Sequence, residues 1–124
     1  MLSQTYVAKV KKIKELHPDA RFIAITRKSP RFKYDVWEKA LAPSLELLKD
    51  YKANDDWEAY VPRFMQEMDN PTSKEVMRKI IKEAQTKDIY LVCFEKEYPC
   101  HRFLILNMMK GIAKEKGLHV EIKV

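Results

Sequence analysis

The chain has 124 residues, of which 46% are hydrophobic and 34% are charged. This length and balance predict one globular domain over residues 1–124 with a hydrophobic core. No apolar run reaches the roughly 18 residues that a membrane span requires, so we expect no membrane partner. The N-terminus lacks a signal-peptide core, and two cysteines suit a reducing compartment, so we expect a cytoplasmic protein.

The charge balance favours anionic ligands. Lysine and arginine total 24 against 18 aspartates and glutamates, which gives a net charge of +6. The basic residues are spread along the chain and are not interleaved with aromatics, so nucleic acid is a weakly supported partner. With two glycines in the whole chain, the glycine-rich loops of dinucleotide- and nucleoside-triphosphate-binding proteins are excluded.

Two strands are predicted in the first part of the chain. Thr5, Tyr6 and Val7 favour a strand over residues 4–11, although the spacing of the apolar residues there also suits a helix. Residues 21–26 form a nearly continuous apolar run, which is typical of a strand buried on both faces.

A basic loop follows the second predicted strand. Residues 27–33 contain four cations, among them Arg27 and Arg31. In an open α/β sheet such a loop lies at the carboxyl end of the strand, where ligands bind. We therefore predict that Arg27 and Arg31 bind an anion, and the alternative is a solvated loop.

Helices are predicted through the middle and the end of the chain. Apolar spacing indicates helices over residues 44–52, 57–68, 73–85 and 100–116, and at least one helical turn over 35–40. Ser44 can cap the first of these helices, and Thr72 with Glu75 forms a capping box for the third. Pro62 should kink or restart the second, and Gly117 should end the last.

Two further strands complete the prediction. Residues 89–94 are apolar throughout, and residues 118–124 alternate apolar with polar residues as a half-covered edge strand does. Strands alternating with helices predict an α/β fold. We expect a single three-layer domain, with a mostly parallel sheet of about four strands covered by helices on both faces.

Five chemically active side chains are concentrated between the strand 89–94 and the long helix that follows. They are Cys93, Glu95, Cys100, His101 and Arg102. Cys93 and Glu95 should share one face of the strand, while the other three should begin the helix. A thiol at the positive end of a helix dipole, next to a histidine and an arginine, should have a lowered pKa.

Each of these residues has a chemical interpretation and a structural alternative. Cys100 is predicted to be a nucleophile or redox thiol, with Cys93 as a resolving partner and with Glu95 and His101 positioning it or moving protons. Arg102 is predicted to bind an anion through two parallel hydrogen bonds.

The structural alternatives concern the same side chains. Cys93 would be a buried thiol, Cys100 and His101 would begin a helix without chemistry, and Arg102 would form a salt bridge with Glu95. A zinc site is another alternative, but the C-x6-C-H spacing is not a usual zinc pattern, so we assign no metal ligand and no cofactor.

The same residues resemble a known family. Cys93-Phe94-Glu95 followed by Cys100-His101-Arg102 is similar to the C-x-E-x4-CHR signature of the "domain of unknown function 488" family. Residues 6–9 resemble the family's first strand, Arg27 with Pro30 resembles its arginine–proline loop, and residues 41–44 resemble its LAPS stretch.

The resemblance implies a compact α/β domain and no established reaction. In many members an aspartate stands just before the loop arginine, whereas this chain has Ile25 and Thr26 there. An acid–base role for that aspartate therefore does not transfer to this chain.

Three functional hypotheses follow from the sequence. The first is a thiol-dependent enzyme that acts on a small anion such as a phosphate or nucleotide. The second is a non-catalytic module that binds a nucleotide, nucleic acid or protein. The third is a redox protein that uses Cys93 and Cys100 as a dithiol.

Overall fold

A computed structural model describes residues 1–94, 96 and 99–124, and a parallel sheet lies at the centre of this described part. Its four strands are β1 (Leu2–Tyr6), β2 (Arg21–Ala24), β3 (Val36–Trp37) and β4 (Ile89–Cys93). Their order in the sheet is β1-β4-β2-β3, and every pairing is parallel. The helices are α1 (Val7–Leu16), α2 (Leu45–Asn54), α3 (Trp57–Met68), α4 (Pro71–Ala84) and α5 (His101–Lys116), with a short 3-10 helix at Lys39–Leu41.

The predicted α/β class is confirmed, and the alternation of side chains along β4 explains the layers. Leu91 and Cys93 point into the larger core, which the sheet forms with α2 to α5. Val92 points the other way, into a smaller cluster with Val10 of α1 and with Phe22. Because successive strand residues point to opposite faces, a strand that is covered by helices on both sides must be apolar at nearly every position.

The helices of the described part were compared with the requirements of a transmembrane span. None of them, over residues 1–94, 96 and 99–124, combines the length and the apolar character that a transmembrane span requires.

The predicted strand over residues 4–11 is wrong beyond Tyr6. The chain is extended over Leu2–Tyr6 and turns into α1 at Val7. The helical spacing of the apolar residues prevails because it directs Val10 and its neighbours onto Phe22 on the outer face of the sheet.

The predicted helical turn over residues 35–40 is replaced by a strand and a 3-10 helix. The backbone N–H groups of Asp35 and Glu38 each donate to a β2 carbonyl at 2.8 Å, the first to Phe22 and the second to Ala24. Ladder hydrogen bonds to a central strand satisfy the backbone of this segment, so the turn begins after them, at Lys39.

The predicted capping box of α4 is also wrong. The helix begins at Pro71, and its N-cap is Asn70, whose side-chain oxygen accepts from the backbone N–H of Ser73 at 2.8 Å. Proline suits the first helical position because its missing N–H would have no partner there. Thr72 therefore lies inside the first turn, and Glu75 lies beyond it.

The remaining boundaries are close to those predicted. Ser44 caps α2 through its hydroxyl, and Gly117 ends α5 with a φ of 65°. The predicted restart at Pro62 does not occur, because α3 continues through that residue. The predicted C-terminal strand is reduced to one parallel bridge between Ile122 and Leu2. Beside that bridge the hydroxyl of Ser3 donates to the Lys123 carbonyl at 3.0 Å, so a side chain takes the place of the next ladder bond.

Candidate functional site

The candidate site lies where the carboxyl ends of β2 and β4 meet the start of α5. Cys93 is the last residue of β4, Ile25 follows β2, and His101 is the first residue of α5. Parallel strands end at the same edge of a sheet, so residues from distant parts of the chain converge there. β4 ends one residue before its predicted end at position 94, and α5 begins one residue after its predicted start at position 100.

The ring of His101 is in contact with both cysteines. Its Nε2 atom lies 2.7 Å from the carbonyl oxygen of Ile25. A carbonyl oxygen accepts hydrogen bonds, so Nε2 carries the proton and donates it. Nδ1 is then the lone-pair nitrogen of the neutral ring, and it lies 3.7 Å from Cys100 Sγ and 3.8 Å from Cys93 Sγ. Cys93 Sγ is also 3.7 Å from Nε2.

A row of aromatic rings supports the histidine from the helical layer. Phe64 and His101 pack edge to face with ring centroids 5.6 Å apart. Tyr60 stacks on Phe64 at 5.7 Å, and Trp57 stacks on Tyr60 at 4.8 Å. Residues three or four apart on α3 share one face, so the helix presents these rings in line. The imidazole is thus held on one side by Phe64 and on the other by the end of β2.

The thiol of Cys100 has a pKa below its ordinary value. The main cause is a side-chain hydrogen bond with Cys93. It is followed by the hydrogen bond and the positive charge of the His101 imidazolium, which forms when Nδ1 takes the thiol proton, and by the backbone N–H of Arg102. Burial acts in the opposite direction, since a charged sulfur loses hydration. The contacts prevail, and this agrees with the lowered pKa predicted for a thiol at a helix start.

A cavity of about 240 Å³ opens beside this cluster, with His101 in its wall. Its lining contains three cationic side chains, Arg27, Lys28 and Lys52. The other lining residues are Thr26, Pro43, Leu48 and Phe94. Wider hollows of about 520 Å³ lie elsewhere on the described surface, for example between residues 16–20 and 85–88, but no residue of the cysteine–histidine cluster lines them. The smaller cavity reaches the cluster through His101, and neither cysteine is part of its lining. The smaller cavity is the one that brings positive charge to the thiol site.

Hydrogen bonds hold the loop that carries two of these cations. The hydroxyl of Thr26 donates to the carbonyl of Lys28 at 2.8 Å, and the indole N–H of Trp37 donates to the carbonyl of Thr26 at 2.8 Å. Trp37 belongs to β3, so the edge strand fixes the start of the loop against the sheet. Arg27 therefore leaves the sheet from an anchored position.

Of the predicted anion-binding residues, Arg27 lines the cavity and the other two lie elsewhere. Arg31 is exposed and is not among the residues that line this cavity. Arg102 is 1% exposed, and its Nε donates to Gln4 Oε1 at 2.7 Å while its Nη2 donates to the Lys96 carbonyl at 2.9 Å. These contacts join α5 to β1 and to the preceding loop, and they support a positioning role for Arg102.

The two cysteines and the histidine lie where the sequence predicts them, and Glu95 cannot be placed. Cys93, Cys100 and His101 are 0%, 5% and 8% exposed. Their sulfur and ring nitrogen atoms all lie within 4.8 Å of one another, a grouping that could hold a metal ion. Glu95 lies outside the described residues, so its predicted part in proton transfer stays a prediction.

Several residues of the site are missed by sequence reasoning. Lys52 looks like any other lysine on the surface of an amphipathic helix, and nothing in its neighbourhood marks it out. Gln4 is more accessible to prediction because it shares a strand face with Leu2, so a polar side chain there faces the core and needs a partner. Pro43 stands within the LAPS stretch, which is the one indication that this turn contributes to the cavity.

Comparison with known proteins gives one match. A family model described as "Active DUF488-N3 subclade" matches residues 5–113 of the chain. The matched range contains the cysteine–histidine cluster and the cavity lining. No curated protein and no solved structure matches the chain.

Proposed function

The chain belongs to the DUF488 family, and from the geometry of its site we propose that it binds a small anionic substrate and acts on it through the Cys100 thiol. One observation carries the proposal. Cys100 Sγ lies 3.7 Å from the acceptor nitrogen of His101, and His101 lines a cavity with three cationic side chains. Thiol, base and anion-attracting groups therefore occur together at one sheet edge.

The cations supply the attraction for the substrate. Arg27 and Lys28 come from the loop after β2, and Lys52 comes from α2. Ligand sites for drug-sized molecules are roughly 300–1,000 Å³. A cavity of about 240 Å³ is smaller than that range, which favours a phosphate or a phosphate-bearing fragment over a large ligand.

The exposed ring of Phe94 supports a nucleotide-like substrate. Phe94 lines the same cavity and is 47% exposed. Phe94 and Phe32 pack edge to face with ring centroids 6.0 Å apart, which braces the Phe94 ring. Aromatic rings at the rim of a phosphate site are surfaces on which nucleobases stack. A small nucleotide with its phosphate among the cations and its base on Phe94 satisfies both features.

In this proposal Cys100 is the nucleophile and His101 is its base. The Ile25 carbonyl holds the proton on Nε2, so Nδ1 is available to take the thiol proton. Cys93 donates a hydrogen bond to the thiolate. A cytoplasmic location belongs to the same proposal, because a reducing compartment keeps both sulfurs as thiols.

Alkylation of Cys100 tests the anion site. The reduced protein is treated with iodoacetamide in the presence of a metal chelator, and the modified peptide is quantified by mass spectrometry. We expect phosphate to slow modification of Cys100, and matched concentrations of sodium chloride to have a smaller effect. Absence of protection by phosphate, sulfate and a nucleoside monophosphate would contradict the proposal.

A matched pair of lysines on α2 provides the control. Lys52→Ala should reduce the protection by phosphate, since Lys52 lines the cavity. Lys49→Ala removes the same charge from an exposed position on the same helix and should leave protection unchanged. Equal effects of the two substitutions would indicate a general effect of net charge.

The non-catalytic alternative is separated by Cys100→Ser. A thiol-dependent enzyme loses turnover in a hydrolase and transferase screen but keeps phosphate binding. If the wild-type protein also shows no turnover, and the variant binds fully, the chain is a binding module. For a nucleic-acid ligand, an affinity that does not weaken as salt rises would exclude a phosphate-driven contact.

The proximity of the two sulfurs favours a second candidate, a dithiol redox function. Oxidation by a low-molecular-weight disulfide would release two small thiols and leave one Cys93–Cys100 disulfide, so that two electrons and two protons pass to the oxidant. Cys93→Ser should trap a mixed disulfide on Cys100, whereas the wild-type protein should resolve it. A mixed disulfide that persists equally in both proteins would exclude this candidate.

A further inference from the structure

Two sulfurs and one ring nitrogen converge on a single buried point of the site. Cys93 Sγ and Cys100 Sγ lie 3.8 and 3.7 Å from His101 Nδ1, and the three ligand atoms lie within 4.8 Å of one another. A tetrahedral zinc ion with Zn–S of about 2.3 Å and Zn–N of about 2.0–2.1 Å separates sulfur and nitrogen ligands by roughly 3.5–3.6 Å. The observed separations are close to those of ligands around one ion.

Two residues that are adjacent in sequence, such as Cys100 and His101, do not usually bind the same ion. The backbone conformation at the start of α5 allows both side chains to do so. Cys100 is extended, with φ of −153° and ψ of 148°, while His101 is the first helical residue. This change of backbone direction turns both side chains toward the end of β4, where Cys93 ends the strand. Spacing along the sequence argues against zinc, but the N-cap geometry brings the three ligands together.

The histidine also has the supporting contact that metal ligands require. A metal-binding histidine commonly donates its second ring N–H to a carbonyl or a carboxylate, which fixes the tautomer and the ring orientation. Here the Ile25 carbonyl receives the Nε2 proton at 2.7 Å. Nδ1 is left with its lone pair, 3.7 Å from Cys100 Sγ and 3.8 Å from Cys93 Sγ.

The chemistry of the ligands indicates the class of ion. Thiolate and imidazole ligands select soft or borderline ions such as Zn²⁺ over Mg²⁺ and Ca²⁺, which prefer oxygen. Two thiolates and a neutral imidazole carry a charge of −2, which one divalent ion cancels inside a nearly water-free site. Because His101 lines the cavity, a fourth ligand has access from that side.

We propose that Cys93, Cys100 and His101 bind one Zn²⁺ ion, and that the bound ion masks the Cys100 thiol. The sequence led us to assign no metal ligand, and the convergence of the three atoms is the reason for proposing one here. This inference goes beyond the proposed function, since zinc binding at these atoms holds whether or not the thiol is a catalyst. If both are right, zinc and an electrophilic substrate compete for the same sulfur.

Cobalt substitution and zinc competition test the site on the whole chain. The reduced, chelator-treated protein is titrated with Co²⁺, whose absorption reports thiolate ligands and tetrahedral geometry. Zinc affinity is then measured by competition with a chromogenic chelator. We expect one Co²⁺ per chain with thiolate-to-cobalt charge-transfer bands, displacement by Zn²⁺, and protection of Cys100 from iodoacetamide by Zn²⁺ but not by Mg²⁺.

Variants separate this site from adventitious binding. Cys93→Ser and Cys100→Ser should each weaken zinc binding by more than about 100-fold and remove part of the charge-transfer band. The double variant His17→Ala/His119→Ala removes two exposed histidines and should change neither the zinc affinity nor the charge-transfer band. Circular dichroism shows whether each variant is folded. If a serine variant is unfolded, Cys100→Ala is measured in its place.

Two results would overturn the proposal. One is a folded, fully reduced protein that shows no charge-transfer band with Co²⁺. The other is a zinc affinity that the cysteine variants leave unchanged. Neither result bears on protection by phosphate, which is measured in the presence of a chelator, so the failure of this proposal is distinguishable from failure of the proposed function.

Discussion

The Nε2 atom of His101 donates a hydrogen bond to the carbonyl oxygen of Ile25 across 2.7 Å, linking the first residue of α5 to the end of β2. The two residues are 76 positions apart in the chain. This contact selects the ring tautomer, and the tautomer leaves the lone pair on Nδ1, which lies 3.7 Å from Cys100 Sγ and 3.8 Å from Cys93 Sγ. The chemistry proposed for Cys100 depends on it as much as on the cysteines themselves.

The first prediction concerns the pH dependence of Cys100 alkylation. Hydrogen bonds from Cys93 and His101 stabilise the thiolate, so the pKa is lowered and the reactive form persists as the pH falls. In metal-free protein, iodoacetamide rates should therefore decline only well below the ordinary thiol pKa of about 8.5. An apparent pKa at or above that value would contradict the assignment, and Cys93→Ala should raise the pKa toward it.

The second prediction concerns Arg102, which is buried and donates to Gln4 and to the Lys96 carbonyl. Arg102→Ala should lower the free energy of unfolding by about 2–4 kcal/mol, because hydrogen bonds to charged groups contribute roughly 1.5–3 kcal/mol and packing is lost as well. Urea denaturation measures the change. Arg78→Ala, which removes an exposed pair with Glu75, should cost about 0–1 kcal/mol.

The same variant distinguishes the positioning role from the anion-binding role predicted for Arg102. If Arg102 positions α5, the variant should be less stable, and phosphate protection should fall only as the protein unfolds. Loss of protection at unchanged stability would instead assign Arg102 to the anion. That result would support the anion-binding role predicted from the sequence.

The third prediction concerns Glu67 of α3, whose carboxylate accepts from the backbone N–H of Ser44 at 2.8 Å and from its hydroxyl at 2.5 Å. Glu67→Ala should lower the free energy of unfolding by about 1–3 kcal/mol, since both donors lose their acceptor at the start of α2. Thermal or urea unfolding measures the effect. Glu58→Ala, an exposed change on the same helix, should stay within about 0.5 kcal/mol of wild type.

The fourth prediction tests which residue caps α4. Asn70→Ala should cost about 1 kcal/mol or somewhat more, because the Asn70 side-chain oxygen accepts from the Ser73 N–H. Its side-chain amide also donates to the backbone carbonyl of Glu67 and to the Ser73 hydroxyl. Thr72→Ala lies within the first turn and should be nearly neutral. The free energies of unfolding are measured by urea denaturation. A larger decrease for Thr72→Ala than for Asn70→Ala would instead support the predicted capping box of Thr72 and Glu75.

The amino-acid sequence determined those elements whose apolar pattern or capping residue lies within the element itself. The apolar runs of β2 and β4, the hydroxyl cap at Ser44 and the glycine after α5 are short-range features, and each is found where it was predicted to within about two residues. The C-x-E-x4-CHR signature likewise identified the family and the junction that holds the cysteines. These features rest on propensity and periodicity, which act within a few residues along the chain.

Long-range contacts decided the rest. The segment around Val36 is a strand because β2 offers unpaired ladder groups, and β1 ends at Tyr6 because Val10 packs on the outer face of the sheet. The site follows the same rule, since Lys52 and the carbonyl of Ile25 meet the cysteine–histidine cluster from elements far away in sequence. Sequence alone identified the thiols. Only the packing of a parallel sheet placed a fixed imidazole and three cations beside them, because such convergence depends on the order of the strands and not on neighbouring residues.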